Sequence, residues 1–499
     1  MKTALIVAYD FPPLRTSGVY RPVKFAKYLP EFGWRPIILT VKNYPTASLD
    51  HSLLGNLPEE AKIYRAHSIE LKRLEKAIFD RVYHAPAVTG MAPHVVDARA
   101  AVVTEASRPS SFSIKSLVKH AVLSPLSRLT HNYLYNPDEW VGWIPMAVQV
   151  GLKAIWQEKV DVIISTSPPA TNHLVALWLK RLTRKPWVAD FRDPWTDNVV
   201  NQNKPKGRLE SERRAERRVL RNANAIINVG ERFGRMSRES FPEVDPRKHY
   251  VITNGYDEAD YQGLDQSAGG VDNCPNQLNL LNVGTVYPSS GFDQFILGLE
   301  RVLSRPEYRG KIKLRIVGPL MNSQKARLST EPLKSHVELN GLLPHAQTLR
   351  HMTAADAILL LPSRGDARTQ DKIVPGKLFE LLRSGRPLLM VGWEGESADM
   401  VRQSGTGSFV SADDTETIAT AIKELCARKK YGQLNCRPNW DYIRQFDRKA
   451  LTSRLADVLE LARLGQVTST APERTGDMVT SPSHIAPPLP AGASAVMKG

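Results

Sequence analysis

Three short stretches bring together residue types that could do chemistry. Asp190-Phe191-Arg192-Asp193 sets two carboxylates around an arginine at the end of an apolar run, a polar cluster suited to orienting the hydroxyls of a ligand. Lys377 and Glu380 follow Pro375-Gly376, a pair that reads as a helix start. Such a start offers unpaired N–H groups and a positive dipole end to a phosphate, and Lys377 adds a full charge there. One turn on, the two oxygens of Glu380 could accept both vicinal hydroxyls of a ribose. Ser167-Pro168-Pro169-Ala170-Thr171-Asn172-His173 reads as a strand end and a helix capped by Thr171 or Asn172, with His173 close behind. Each stretch has a plainer reading. Two aspartates around an arginine also make a structural ion pair, the more so for Asp190. Lys377 and Glu380 fit a routine surface helix, and a histidine such as His173 more often packs or solvates than reacts.

These residues need a scaffold, and the chain supplies one by alternation. Short β-branched or leucine-rich runs alternate with helical stretches, the pattern of parallel sheets with crossover helices. The first half offers strands at Lys2–Ala8, Pro36–Val41, Val160–Thr166, Pro186–Asp190, Ala225–Val229 and Tyr250–Thr253. The second half offers Leu278–Val283, Lys311–Val317, His336–Leu339, Ala357–Leu361 and Pro387–Val391. The expected fold is therefore α/β, two doubly wound Rossmann-like domains facing a cleft. The first would occupy residues 1–253 with an insertion at about 85–140, and the second residues 254–440. A helix over 441–465 would return toward the first domain. Residues 466–499, rich in Pro, Ser, Thr, Ala and Gly, would form a disordered tail. Ligands gather at the carboxyl ends of such strands. Gly18, Gly284-Thr285, Gly318-Pro319 and Ser363-Arg364 all fall there, and Glu231 is a weaker candidate for the same cleft.

At this point the sequence resembles a known family. Ile373-Val374-Pro375-Gly376-Lys377-Leu378-Phe379-Glu380, followed by Ser384-Gly385-Arg386-Pro387, looks like the nucleotide-binding signature of retaining GT-B glycosyltransferases, especially glycosyltransferase family 4. Leu280–Thr285, Ile316–Pro319, Asn340-Gly341-Leu342-Leu343-Pro344 and Ala354-Ala355-Asp356 resemble the same second domain. Phe11-Pro12-Pro13 with Ser17-Gly18 resembles its first loop, where a glycine lets backbone approach donor and acceptor. The likeness runs in order over roughly residues 1–460. It implies transfer of a sugar from a nucleotide diphosphate-sugar to an acceptor hydroxyl, with retention of configuration and no essential metal. In its terms Glu380 holds the donor ribose, Lys377 and Gly376 face the leaving pyrophosphate, and Arg192 and Asp193 lie beside the reacting carbon.

The departures from the family pattern matter as much. A second glutamate seven residues before Glu380 would fall at Lys372, which can only donate. The basic pair that often follows the Gly284 strand is replaced by Thr285-Val286-Tyr287-Pro288-Ser289-Ser290. Arg364, Lys372 and Lys377 are the cations left to face a pyrophosphate. A GT-B nucleotide-sugar epimerase and a non-catalytic scaffold in polysaccharide assembly are the two rival readings.

Composition narrows the partners. A net charge of +16 in 499 residues suits polyphosphate substrates, an anionic membrane or nucleic acid. With no zinc spacing and no DNA- or RNA-reading motif, nucleic acid is set aside. Three cysteines without metal spacing point to a reducing compartment. No apolar run reaches the ~18–20 residues that span a bilayer. The expectation is a bacterial cytoplasmic protein, peripheral on the inner membrane face, whose acceptor is a glycan or lipid-linked. The insertion supplies the membrane contact in this reading. Residues 106–137 carry no acid, and Ile114, Leu117, Val118, Ala121 and Val122 share one helical face with Lys115 and Lys119 opposite.

Overall fold

The protein is described from a computed structural model, which covers residues 1–44, 49–71, 135–198, 204–264, 274, 276–365, 369 and 372–466. The proposed membrane helix of the insertion and the tail beyond Gln466 lie outside the described residues.

Two all-parallel sheets organise the chain. The first holds β1 (Lys2–Val7), β2 (Trp34–Val41), β3 (Lys62–Ala66), β4 (Val162–Ser167), β5 (Trp187–Phe191), β6 (Ala225–Asn228) and β7 (His249–Val251), in the order β3-β2-β1-β4-β5-β6-β7. The second holds β8 (Leu278–Val283), β9 (Ile312–Val317), β10 (Val337–Gly341), β11 (Ala357–Leu360), β12 (Leu388–Gly392) and β13 (Gly407–Ser411), in the order β10-β9-β8-β11-β12-β13. Helices cover both faces, so central strands such as β1, β4 and β8 are almost wholly buried and read as continuous apolar runs. The first domain carries α1 (Tyr20–Tyr28), α2 (Ile144–Gln157), α3 (Thr171–Thr183), α4 (Lys206–Asn222) and α5 (Glu231–Ser240). The second carries α6 (Phe292–Leu303), α7 (Asn322–Leu328), α8 (His345–Ala354), α9 (Lys377–Arg383), α10 (Glu396–Ser404) and α11 (Thr415–Lys430).

Strand order reverses between β1 and β4 in one sheet and between β8 and β11 in the other. In doubly wound sheets the crevice opens at such switch points. The loops after β1 and β4 carry Gly18 and Ser167–Pro169, and those after β8 and β11 carry Gly284 and Arg364. The topology therefore brings the candidate loops together in pairs.

Local differences from the sequence reading have physical causes. The strands β3 and β13 were not anticipated, because both are sheet edges with partly exposed residues and no continuous apolar run. The helix expected from Trp440 to Leu464 is divided at Phe446-Asp447 into α12 (Trp440–Arg444) and α13 (Arg448–Leu464). Ile443 and Phe446 pack in the second domain, whereas Leu451, Leu455, Val458 and Leu459 complete the core of the first. From Tyr135 on, the chain is again part of the first domain: Trp140 and Trp143 meet the Tyr9 ring edge-on at 5.7 and 5.3 Å. Neither Thr171 nor Asn172 caps α3 with its side chain. Asp138 accepts from the Thr171 N–H at 2.9 Å and from its hydroxyl, and Asn172 ties Tyr9 N–H to the Thr166 carbonyl.

Candidate active site

The second-domain site is built from three loops and one lysine. Gly284 ends β8 at φ +91°, and its N–H donates to Val317 at 2.7 Å, pairing it with the end of β9. Gly318 follows at φ +145°, where a Cβ would fall 2.4 Å from the Gly284 carbonyl oxygen. Only glycine fits this approach of two backbones. On the Gly284 loop lies the half-buried Lys377 chain: a Cβ at Gly284 would be 3.2 Å from Lys377 Cδ and 3.4 Å from Nζ. Nζ donates to the Val283 carbonyl at 2.8 Å. Burial, with no paired carboxylate among the described residues, pushes the Lys377 pKa down to about 8. A phosphate at this point would supply the missing counter-charge. Gly376 is the residue before the first turn of α9, a helix of seven residues, and Thr285 is half-buried in the Gly284 loop.

Glu380 lies one turn further along α9, partly exposed. Its Oε1 meets His345 Nε2 at 2.9 Å, and its backbone carbonyl accepts from the Tyr261 hydroxyl at 3.1 Å. The His345 ring faces Tyr20, the first residue of α1, with centroids 5.8 Å apart. So the Glu380 carboxylate sits where the two domains meet.

Arg364 stands apart from Lys377. Its guanidinium lies over the Trp393 ring at 4.9 Å, and its N–H donates to the Ser289 carbonyl at 2.7 Å. Ser289, Ser290, Asp293, Arg364 and Trp393 line an open cavity of about 340 Å³ beside the start of α6. Lys372 N–H donates to the Thr369 carbonyl, in the loop leading to α9.

In the first domain Asp190 and Arg192 have separate structural tasks. Asp190 is buried and takes two bonds from Arg21, at 2.8 and 2.9 Å, and one from Thr166 at 2.7 Å. Burial alone would raise its pKa, but Arg21 and Thr166 outweigh it and the carboxyl is held low. Arg192 donates to the carbonyls of Ser167, Gly18 and Pro168. It thus clips the Gly18 loop to the loop after β4. A Cβ at Gly18 would fall 2.9 Å from Asp10 Oδ2 and 3.0 Å from Arg192 Nη1, so a larger residue would have to displace the ends of these side chains. Asp193 is half-buried next to it. His173 is fully buried against Phe191, with ring centroids 4.3 Å apart. Its Nδ1 meets Ser165 Oγ at 2.7 Å, and burial lowers its pKa to about 3. The ring is neutral and has no surface on the cleft.

The family models agree with this geometry. Residues 24–255 match "Glycosyl transferase 4-like domain" and residues 277–428 match "Glycosyl transferases group 1", together most of the chain. The chain belongs to the GT-B glycosyltransferases. Solved structures repeat its fold over nearly the whole length. Sucrose-phosphate synthase from Thermosynechococcus elongatus superimposes with a TM-score of 0.61 at 13% identity, covering 92% of this chain and 98% of that one. A glycosyltransferase from Rickettsia africae gives 0.52 at 14%, covering 93% and 98%. The Anabaena protein HepE, solved in complex with UDP-glucose, gives 0.52 at 13%, covering 92% and 99%. No curated protein sequence matches significantly. Among the described residues of this glycosyltransferase, no helix is long and apolar enough to cross a membrane.

Two contacts of the glycosyltransferase escaped sequence reasoning. One is His345 on Glu380, which joins the starts of two helices 35 residues apart. The other joins the domains. Glu396, first residue of α10, accepts from the N–H groups of Glu231 and Arg232 at 2.8 and 3.1 Å, capping α5 of the first domain. Arg232 in turn pairs with Asp399 at 2.6 Å. Glu231 therefore enters this domain contact through its backbone N–H. No sequence spacing signals a contact across 165 residues.

Proposed function

We propose that this glycosyltransferase moves a sugar from a nucleoside diphosphate-sugar to an acceptor hydroxyl, with retention of configuration and without a metal. The observation that carries the reading is Lys377. Among the described residues it is a cation with no carboxylate partner, held on the Gly284 backbone where the strand order reverses, one helical turn before Glu380. Rupture of the glycosidic bond builds negative charge on the departing pyrophosphate. A fixed ammonium at that place is stabilised as the charge develops, and removal of one such preorganised group typically costs ~3–4 kcal/mol of transition-state stabilisation. Glu380 would receive the ribose hydroxyls. HepE, which shares the fold, was solved with UDP-glucose, with UDP and glucose, and with UDP. That chemistry fits a donor site here.

On the acceptor side Arg192 would act through the backbone it holds, fixing the Gly18 loop, with Asp193 beside it. The acceptor is proposed to be a glycan or lipid-linked hydroxyl, reached from the cytoplasmic face of an anionic membrane. His173 is left in the role of packing.

The test is donor consumption with and without a lipid-extract acceptor, for the wild type and Lys377→Met. Acceptor-dependent release of nucleoside diphosphate that falls at least a hundredfold in the variant, by ~3–4 kcal/mol, supports the reading. A new soluble nucleotide-sugar formed without acceptor would indicate an epimerase. Donor binding with no turnover on any acceptor would indicate a scaffold.

A further inference from the structure

Glu380 does not stand alone: a histidine ring meets its carboxylate. His345 is the first residue of α8 and Glu380 belongs to α9, 35 residues later. Nε2 lies 2.9 Å from Glu380 Oε1, while Nδ1 is 4.0 Å from Asp260 Oδ2 on the other side of the ring. The remaining groups around the pair come from three elements. Lys24 of α1 holds Asp260 at 2.7 and 2.9 Å. Tyr20 of the same helix lies against the ring. Tyr261 bonds the Glu380 carbonyl. Arg448, first residue of α13, is buried within the field of Glu380.

We propose that His345 is a positioning residue for the ribose-binding carboxylate, and that charging its ring weakens the ribose contact. This rests on Glu380 being the ribose acceptor. In the neutral ring the Nε2–H donates to Oε1 and orients the carboxylate, leaving its other lone pairs for the two hydroxyls. Protonation turns that bond into an ion pair, which neutralises the acceptor and draws the ring between Glu380 and Asp260. The bond from Glu380, first, and its negative charge raise the His345 pKa above its ordinary value despite partial burial. The change therefore falls above the ordinary histidine range.

The experiment is calorimetric binding of UDP and of 2′,3′-dideoxy-UDP to the full chain, with the GDP and ADP pairs in parallel, between about pH 5.5 and 8.5. The ratio of the two affinities isolates the ribose hydroxyls and cancels titration of the phosphate. In the wild type the ratio should fall about fivefold as pH drops through this range, roughly the difference between hydrogen bonds to a charged and to a charge-compensated acceptor. His345→Gln, which still donates but cannot charge, should keep the high-pH ratio throughout. His345→Ala should lower it even at high pH. A ratio above one that does not move with pH in the wild type overturns the role of His345, and so does an unchanged pH profile in His345→Gln. A ratio of one at every pH, equal to that of Glu380→Ala, overturns the ribose role of Glu380 instead. Binding by none of the three pairs overturns the donor reading itself.

Discussion

A Cβ on Gly230 would stand 2.8 Å from each oxygen of the Glu396 carboxylate, which crosses from the second domain to cap α5. The backbone at Gly230 is extended, at φ −161°, so any residue could adopt it. What glycine supplies is room. Gly230→Ala should push the carboxylate off the Glu231 and Arg232 N–H groups and loosen the domain contact. Loss of a charged helix cap costs ~0.5–2 kcal/mol. The expected outcome is a larger radius of gyration in small-angle scattering and weaker donor binding. Glu396→Gln should be milder, since its amide oxygen still accepts. Identical scattering for Gly230→Ala and wild type would remove the contact from any role in closure.

Lys377 gives a prediction about protons. Its pKa is lowered to about 8 by burial, against 10.5 in water, so between those values the ligand-free lysine is largely neutral. A pyrophosphate restores the charged form, and binding in that window must take up a proton. Affinity for a nucleoside diphosphate should accordingly weaken as pH rises above about 8. Calorimetry at pH ~9 in buffers of different ionisation heat should show uptake in the wild type and none in Lys377→Met. Equal proton uptake in both proteins would place the pyrophosphate elsewhere.

Gly284 and Gly318 should differ in tolerance. At Gly284 an alanine meets the flexible Lys377 chain at 3.2 Å, and at Gly318 it meets backbone oxygen at 2.4 Å. Both positions have positive φ, which adds ~1–3 kcal/mol of strain for a residue with a Cβ. Gly318→Ala should therefore be the more destabilising in urea unfolding. Gly284→Ala should mainly displace Lys377 and weaken diphosphate binding. The reverse order of stabilities would contradict the packing of these two loops.

Glu380→Ala should leave the melting temperature nearly unchanged, because the side chain is partly exposed. Nucleoside diphosphate affinity should fall about ten- to a hundredfold, the worth of a charged contact to ribose. Unchanged binding would take Glu380 out of the site.

The sequence by itself determined the fold class and where along the chain the buried strands fall. A parallel strand covered on both faces must be apolar along its whole length, and β1, β4, β8 and β11 are. The edge strands β3 and β13 obey no such rule and were invisible. Spacing also placed Lys377 and Glu380 on one helix, a turn apart. What spacing cannot encode is which distant groups meet. His345 on Glu380, Asp138 on Thr171, Arg192 on the Gly18 and Pro168 carbonyls, and Glu396 on α5 were decided by the strand order and by the domain contact. The break at Phe446-Asp447, inside what reads as one helix, was decided the same way. Periodicity reports which face of an element is buried. Only the packed tertiary structure supplies the partner that buries it.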